Sequence, residues 1–200
     1  TIREYIRNFI MSKLETNTID TVSGTSNLTI GSSNASTITL KSGATLTNFP
    51  ANTPAFFAYL GSNQDISDDT WTKVNINTEE YDSNSMFNVS TYRFTPTTAG
   101  KYFFYGTICL RSGSDNKIRS CGMAFYKNGS ALYGGTNDVG DEQSSSEQIS
   151  IQSSFSMNGS SDYVELYGRI DVASSTPQFS ANYQGANRNT YFGAYKVIGA

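Results

Sequence analysis

From residue 54 to the C-terminus, apolar and polar residues alternate in short runs separated by clusters of Gly, Asn, Ser and Asp. Alternation with period two places successive side chains on opposite faces of a strand. The pattern predicts strands at 55–60, 72–75, 92–94, 101–110, 118–126, 131–133, 149–157, 163–170, 178–183 and 190–198. Asn128-Gly129 and Asn158-Gly159 stand between such runs, and Asn-Gly is the strongest short hairpin signal. No helical periodicity competes, so the region predicts an all-β sandwich or barrel.

Two other patterns precede it. Ile2, Ile6, Ile10 and Leu14 recur every fourth residue with Tyr5 and Phe9 alongside, which is one apolar stripe on a short helix over 1–14. A helix of that length is marginal alone in water, so the stripe must pack on copies of itself or on a partner. Ile2, Ile6, Phe9, Ile10 and Leu14 are therefore the candidate docking or trimerising residues. Residues 15–53 are dominated by Ser, Thr, Asn and Gly, with the alternating pieces Leu28-Thr29-Ile30, Ile38-Thr39-Leu40 and Ala44-Thr45-Leu46. One copy holds too little apolar surface here to offset its ordering entropy. Two readings stay open: a disordered linker, or a β-rich fibrous shaft in which several copies pool their apolar residues. Regular alternation and scarce charge favour the shaft.

Both faces of the longest strands are apolar. Tyr102, Phe104 and Ile108 share one face of 101–110, while Phe103, Tyr105 and Cys109 share the other. In the closing strand Tyr191, Tyr195 and Val197 oppose Phe192, Ala194 and Ile198. One face is expected inside the sandwich and the other against sister subunits, as in an obligate oligomer. A loop or the leader covering one face is the alternative. Tyr102, Phe104, Ile108, Tyr191 and Tyr195 are the candidates for core or trimer packing.

Composition narrows the chemistry. The chain has no histidine, which removes a Ser-His-Asp triad and the residue most used for proton transfer near neutral pH. Asp68-Asp69, Glu79-Glu80 and Asp141-Glu142 are formal acid/base pairs, but neighbouring strand residues face opposite ways, and solvated charges explain them better. The net charge is -3 with both signs interspersed, so no basic footprint for nucleic acid exists. Arg3, Glu4, Arg7 and Asn8 interrupt the opening residues, unlike a secretory core or a spanning helix, and no membrane insertion is expected. Cys109 and Cys121 flank the turn-rich segment 111–119, which reads as a hairpin. A cross-strand disulfide then competes with two free, half-buried thiols; the free thiols are expected, because cross-strand geometry often misses the required distances. Asp138, Asp141 and Glu142 in a Gly-rich loop are formal calcium candidates at a spacing that fits no EF-hand, and a solvated turn is the preferred reading. No cofactor is expected. Trp71 is expected in core or interface packing.

The ordered set of motifs adds a family. P-A-F-F-A-Y at 54–59, E-Y-D at 80–82, R-F-T-P-T-T-A-G-K-Y-F-F at 93–104, F-Y-K-N-G at 125–129, S-D-Y-V-E-L at 161–166 and N-T-Y-F-G-A-Y-K-V-I at 189–198 resemble successive pieces of a C1q-like domain. That domain belongs to the C1q and tumour-necrosis-factor jelly-roll superfamily. Ser161 stands where Gly is usual, the insert D-S-N-S-M-F-N-V-S-T-Y-R is long, and collagen-like Gly-X-Y repeats are absent. With its Ser/Thr/Asn-rich leader and M-S-K-L-E-T-N-T-I-D-T-V-S-G at 11–24, the chain looks more like C1q-like proteins of bacteriophage tail or head fibres. The resemblance implies a homotrimeric, non-enzymatic fibre on the virion surface. Its N-terminus would dock on a tail or capsid adaptor, and its jelly-roll head at 54–200 would face a host receptor, protein or glycan. Some C1q-like domains also bind calcium near the trimer apex. Binding usually resides in loops, here 111–119, 134–147 and 173–188. The last holds Tyr183, Gln184, Asn187 and Arg188, a polar-aromatic mix suited to sugars and the receptor candidates. The alternatives are a capsid or tail decoration module without a receptor, and a secreted or bacterial-surface recognition protein, which would need an export signal.

Overall fold

Long alternating runs pair over their whole length, and two antiparallel sheets result. The computed structural model describes Ser42 and residues 52–113, 117–140, 144–185 and 187–198. The chain divides into two units, Thr1–Thr47 and Asn48–Ala200. Ile2, Ile6, Phe9, Ile10 and Leu14, like the three alternating pieces of the leader, lie outside the described residues.

In chain order the strands are β1 (Ala55–Tyr59), β2 (Gln64–Asp65), β3 (Thr72–Lys73), β4 (Thr78–Asp82), β5 (Phe87–Asn88), β6 (Arg93–Phe94), β7 (Gly100–Arg111), β8 (Ile118–Lys127), β9 (Ser130–Asp138), β10 (Ser146–Met157), β11 (Val164–Val172), β12 (Gln178–Phe179) and β13 (Tyr191–Lys196). No helix occurs among the described residues. The first sheet runs β2-β12-β7-β13-β1-β4, with β10 along the other edge of β7. β12 and β13 share one edge of β7, opposite Leu110–Arg111 and Tyr102–Thr107 respectively. The second sheet runs β5-β6-β11-β8-β9, with β3 also on β11.

Every strand expected from residue 55 onward is present, though β9 extends to Asp138 and β12 stops at Phe179. β2, β4 and β5 come in addition. Two expected hairpins are corrected. β7 belongs to the first sheet and β8 to the second, so the segment 111–119 carries the chain between sheets rather than turning it back. Cys109 and Cys121 therefore sit in different sheets as free thiols, fully buried rather than half-buried. Asn158-Gly159 likewise joins β10 of one sheet to β11 of the other. There the Asn158 Oδ1 accepts from the amides of Ser160, Ser161 and Asp162. Asn128-Gly129 does close a hairpin, between β8 and β9, with φ of 53° and 82° as a type I′ turn needs.

The core lies between the sheets. Phe56 stacks on Phe87 and Phe94 at 4.6 and 4.7 Å, and Phe104 stacks on Phe155 at 4.3 Å. Each fully buried ring contributes roughly 1.5–3 kcal/mol. Tyr102 is completely buried, and its hydroxyl donates to the Thr98 carbonyl at 2.8 Å, closing the Pro96–Gly100 turn from inside. Burial pushes that phenol up to about 12. A second polar anchor ties the β8–β9 hairpin to the β10–β11 connection. The Asp162 carboxylate accepts from Asn128 Nδ2 at 2.8 Å and the Asn158 amide at 2.9 Å, and pairs with Lys127 at 2.9 Å.

Candidate functional site

The outward face of the first sheet is aromatic. Phe103 and Tyr105 of β7, Tyr191 and Tyr195 of β13, and Phe57 and Tyr59 of β1 alternate with core residues and point away from the sandwich, and Tyr81 of β4 joins them opposite Phe57. Most are half-buried, and Tyr81 is 48% exposed. The rings touch across strands: Phe57 to Tyr191 at 5.4 Å, Phe57 to Tyr81 and to Tyr105 at 6.4 Å, and Phe103 to Tyr195 at 5.4 Å. Gly193 permits this arrangement. It sits opposite both Tyr105 and Phe57, and a Cβ there would lie 2.4 Å from Tyr105 Cζ. The Tyr105 ring thus lies across β13, and its phenol is raised far above the usual range by burial first and by its hydrogen bond with Tyr81 second. On β10 the same face is polar: Ser154, Gln152 and Ser150 lie opposite Phe103, Tyr105 and Thr107.

The five candidates for core or trimer packing divide between two faces. Tyr102, Phe104 and Ile108 are wholly inside the sandwich, whereas Tyr191 and Tyr195 belong to the outer aromatic face. Ile198 does not share a buried face with Phe192 and Ala194, because β13 ends at Lys196 and Ile198 is 49% exposed in a turn. Phe57, Tyr59 and Tyr81 join the face without having been singled out from the sequence. Their signal was the alternation in A-F-F-A-Y and the Tyr inside a charged run.

A polar pocket lies at one end of the same sheet. The register sets Ala55, Tyr195 and Phe103 together at the end where the chain enters β1, and β7 runs on from Phe103 to Arg111. At roughly 3.4 Å per residue, Arg111 lies about 27 Å away. There the loop between β12 and β13 folds back on itself. The Thr190 hydroxyl, fully buried, donates to the Ser180 carbonyl at 2.7 Å and accepts from the Cys109 amide at 3.0 Å. The Tyr183 amide donates to Asn189 Oδ1 at 2.9 Å, and the Arg111 guanidinium covers the Tyr183 ring at 4.8 Å. The pocket, about 370 Å³, is lined by Cys109, Ser146, Glu147, Gln148, Tyr183, Gln184 and Asn189. Hydrogen bonds with Ser146 and then Ser145 lower the Tyr183 phenol from its ordinary value.

Of the four receptor candidates, Tyr183 and Gln184 meet at this pocket, with Gln184 Nε2 donating to Tyr183 Oη at 3.3 Å. Arg188 turns away to the rim of the aromatic face, where it pairs with Glu80 at 2.8 Å and covers the Tyr59 ring at 4.7 Å. Asn187 is exposed between them. Ser146 and Glu147 close the candidate loop 134–147, whereas sequence reasoning missed Gln148 and Asn189, whose only signal was the alternating Ser/Gln pattern of β10 and an Asn in a loop. Asp138 is exposed and accepts from the Gly140 amide at 3.0 Å, while Asp141 and Glu142 lie outside the described residues. No group of three or more His, Cys, Asp or Glu side chains converges among the described residues.

The outer face of the second sheet carries Trp71, which lies over Gly122 and is 36% exposed. Tyr126 is 6.4 Å from it and stacks on Tyr167 at 3.9 Å. Glu165, 2% exposed, accepts from Arg93 Nε at 2.7 Å and pairs with Lys73 at 3.0 Å. The described carboxylate doublets have structural partners: Asp68 accepts from the Val172 amide at 2.8 Å, Asp69 pairs with Arg169, and Glu80 pairs with Arg188.

No protein-family model and no curated protein matches this sequence. Solved structures do match the fold. The globular domain of zebrafish complement 1qA protein aligns with a TM-score of 0.50 at 15% identity, over 72% of this chain and 98% of that one. Murine APRIL, solved at pH 5.0, aligns with a TM-score of 0.52 at 11% identity over the same shares. At such identity the likeness is one of architecture: the described β-sandwich is a C1q/TNF-like jelly roll.

Proposed function

We propose that this chain is a homotrimeric, non-enzymatic fibre protein of a virion surface, whose jelly-roll head binds a receptor on the host and whose N-terminus docks on the particle. The carrying observation is the outer aromatic face built from Phe57, Tyr59, Tyr81, Phe103, Tyr105, Tyr191 and Tyr195. Contiguous apolar surface of this kind marks an interaction site. The occupant is a second copy of the chain, related by a three-fold axis so that each copy both covers and is covered. The apolar stripe Ile2, Ile6, Ile10 and Leu14 and the alternating leader support the same reading, since each needs copies or a partner to bury its apolar residues. Three heads on one shaft raise avidity without any new contact. The protein needs no cofactor, and its lack of histidine supports a binding role over a catalytic one.

The full chain should bind host cells saturably and block adsorption of the particle. A trimer that binds no cells would leave only the decoration role. Ile6→Asp should abolish incorporation into the particle while leaving the head trimeric; normal incorporation would refute the docking role of the stripe.

A further inference from the structure

The pocket at the far end of the first sheet has the chemistry of a sugar site, and we propose that it holds one pyranose ring of an uncharged glycan. This inference rests on the receptor-binding reading and assigns the contact to particular residues. At about 370 Å³ the pocket is at the small end of ligand sites, which suits one ring rather than a peptide helix. Gln148, Gln184 and Asn189 each present an amide with both donor and acceptor, and Ser146 and Tyr183 present hydroxyls. A sugar hydroxyl also donates and accepts at once, so it satisfies such groups in pairs. The Tyr183 ring and the buried Cys109 supply the apolar part that a ring's C–H face needs.

Charge gives an anionic competitor no advantage. Glu147 lines the pocket, and the Arg111 guanidinium lies beside it over the Tyr183 ring. The two opposite charges offset one another, so a carboxylate or phosphate gains no net attraction, whereas a neutral sugar needs none. The site is also held in advance. Tyr183 is fixed by Asn189 and Arg111, and Gln148 Nε2 donates to the Asn189 carbonyl at 3.4 Å. Groups already ordered lose little freedom when a ligand arrives. The pocket lies past the aromatic stripe, beyond the paired hydroxyls of Thr107 and Ser150 at 2.8 Å. Covering the stripe with sister copies therefore sets one such pocket per copy at the end remote from Ala55.

Saturation-transfer NMR on the full chain tests this with galactose, glucose, mannose and N-acetylglucosamine as neutral probes and N-acetylneuraminic acid as the charged one. Binding of at least one neutral sugar is expected, weakened about tenfold by Gln148→Ala or Tyr183→Phe, each of which removes a hydrogen-bonding group. The urea midpoint and solution mass of each variant are measured alongside and should stay unchanged. No transfer to any neutral sugar, preference for the charged probe, or binding insensitive to both variants would overturn the proposal. Adsorption of the same samples to host cells separates the two levels. Cell binding without sugar binding sinks the sugar assignment and leaves the receptor reading intact. Absent cell binding by the unaltered chain sinks the receptor reading itself.

Discussion

Replacing Gly193 by Ala probes the contact on which the aromatic face is built. The added Cβ would lie 2.4, 2.5 and 2.8 Å from Tyr105 Cζ, Oη and Cε2. Carbon atoms pack at about 3.5–4.0 Å, so the ring must retreat by about 1 Å. It cannot do so freely, because Tyr105 is flanked by Phe57 and Tyr191, each 6.4 Å away. Forcing a methyl group into so packed a site costs about 1–3 kcal/mol, the disturbed ring contacts included. Against this, Ala restricts the unfolded chain and returns about 0.4–1 kcal/mol. The expected net effect is a loss of about 1–2 kcal/mol, within the usual range for overpacking. The sign should reverse when Tyr105 is also Ala. With the ring gone, Gly193→Ala retains only its entropic gain and should stabilise by about 0.5 kcal/mol. The two effects then differ by about 2 kcal/mol, well above the scatter between independent sites. Urea unfolding of the four proteins at one fixed protein concentration measures this, since stability linked to assembly depends on concentration. Equal effects of Gly193→Ala in both backgrounds would refute the reasoning.

Three other outcomes follow from single sites. Glu165→Ala removes the carboxylate shared by Arg93 and Lys73; because both cations are partly exposed, the expected loss is about 1–3 kcal/mol in urea unfolding, and no loss would contradict the arrangement. Burial raises Cys109 and pushes Cys121 up to about 11, so a thiol reagent at pH 8 should label neither in the folded protein and both in urea; rapid labelling of the folded protein would contradict their burial. Hydrogen bonds from Asn128 and then Lys127 hold the Asp162 carboxyl below the usual range, so its stabilisation is full above the unfolded value and lost as pH falls through the folded one. Asp162→Asn should therefore lower Tm at neutral pH and converge with the parent in acid, and a constant Tm gap down to the lowest pH would rule this out.

The long strands were legible because their alternation is unbroken over many residues. β2 and β5, two residues each, have no period to read, and T-E-E-Y-D of β4 looks like a loop until β1 pairs with it. Sheet membership was illegible for a different reason. A hairpin and a crossing between sheets both need turn residues, so Ser112-Gly113 and Asn158-Gly159 could not reveal that their strands pair with distant partners. The aromatic face was half visible. Alternation separates Phe103 and Tyr105 from Tyr102 and Phe104, but only the register brings Phe57 and Tyr81 beside them. The pocket depends on the same non-local pairing, since Gln148 reaches Tyr183 through the β10–β7 ladder and the β12–β13 loop. Arg188 shows the limit of composition: it sits in the sugar-suited segment yet serves Glu80 and Tyr59.

The solution mass of the full chain near neutral pH, by light scattering coupled to size exclusion, addresses the central claim most directly. Copies covering one another's aromatic faces predict three times the 21.8 kDa chain, about 65 kDa. A mass of 21.8 kDa would mean that no sister copy covers Phe57, Tyr81, Tyr105 and Tyr195, and it would contradict the trimer and the fibre built on it.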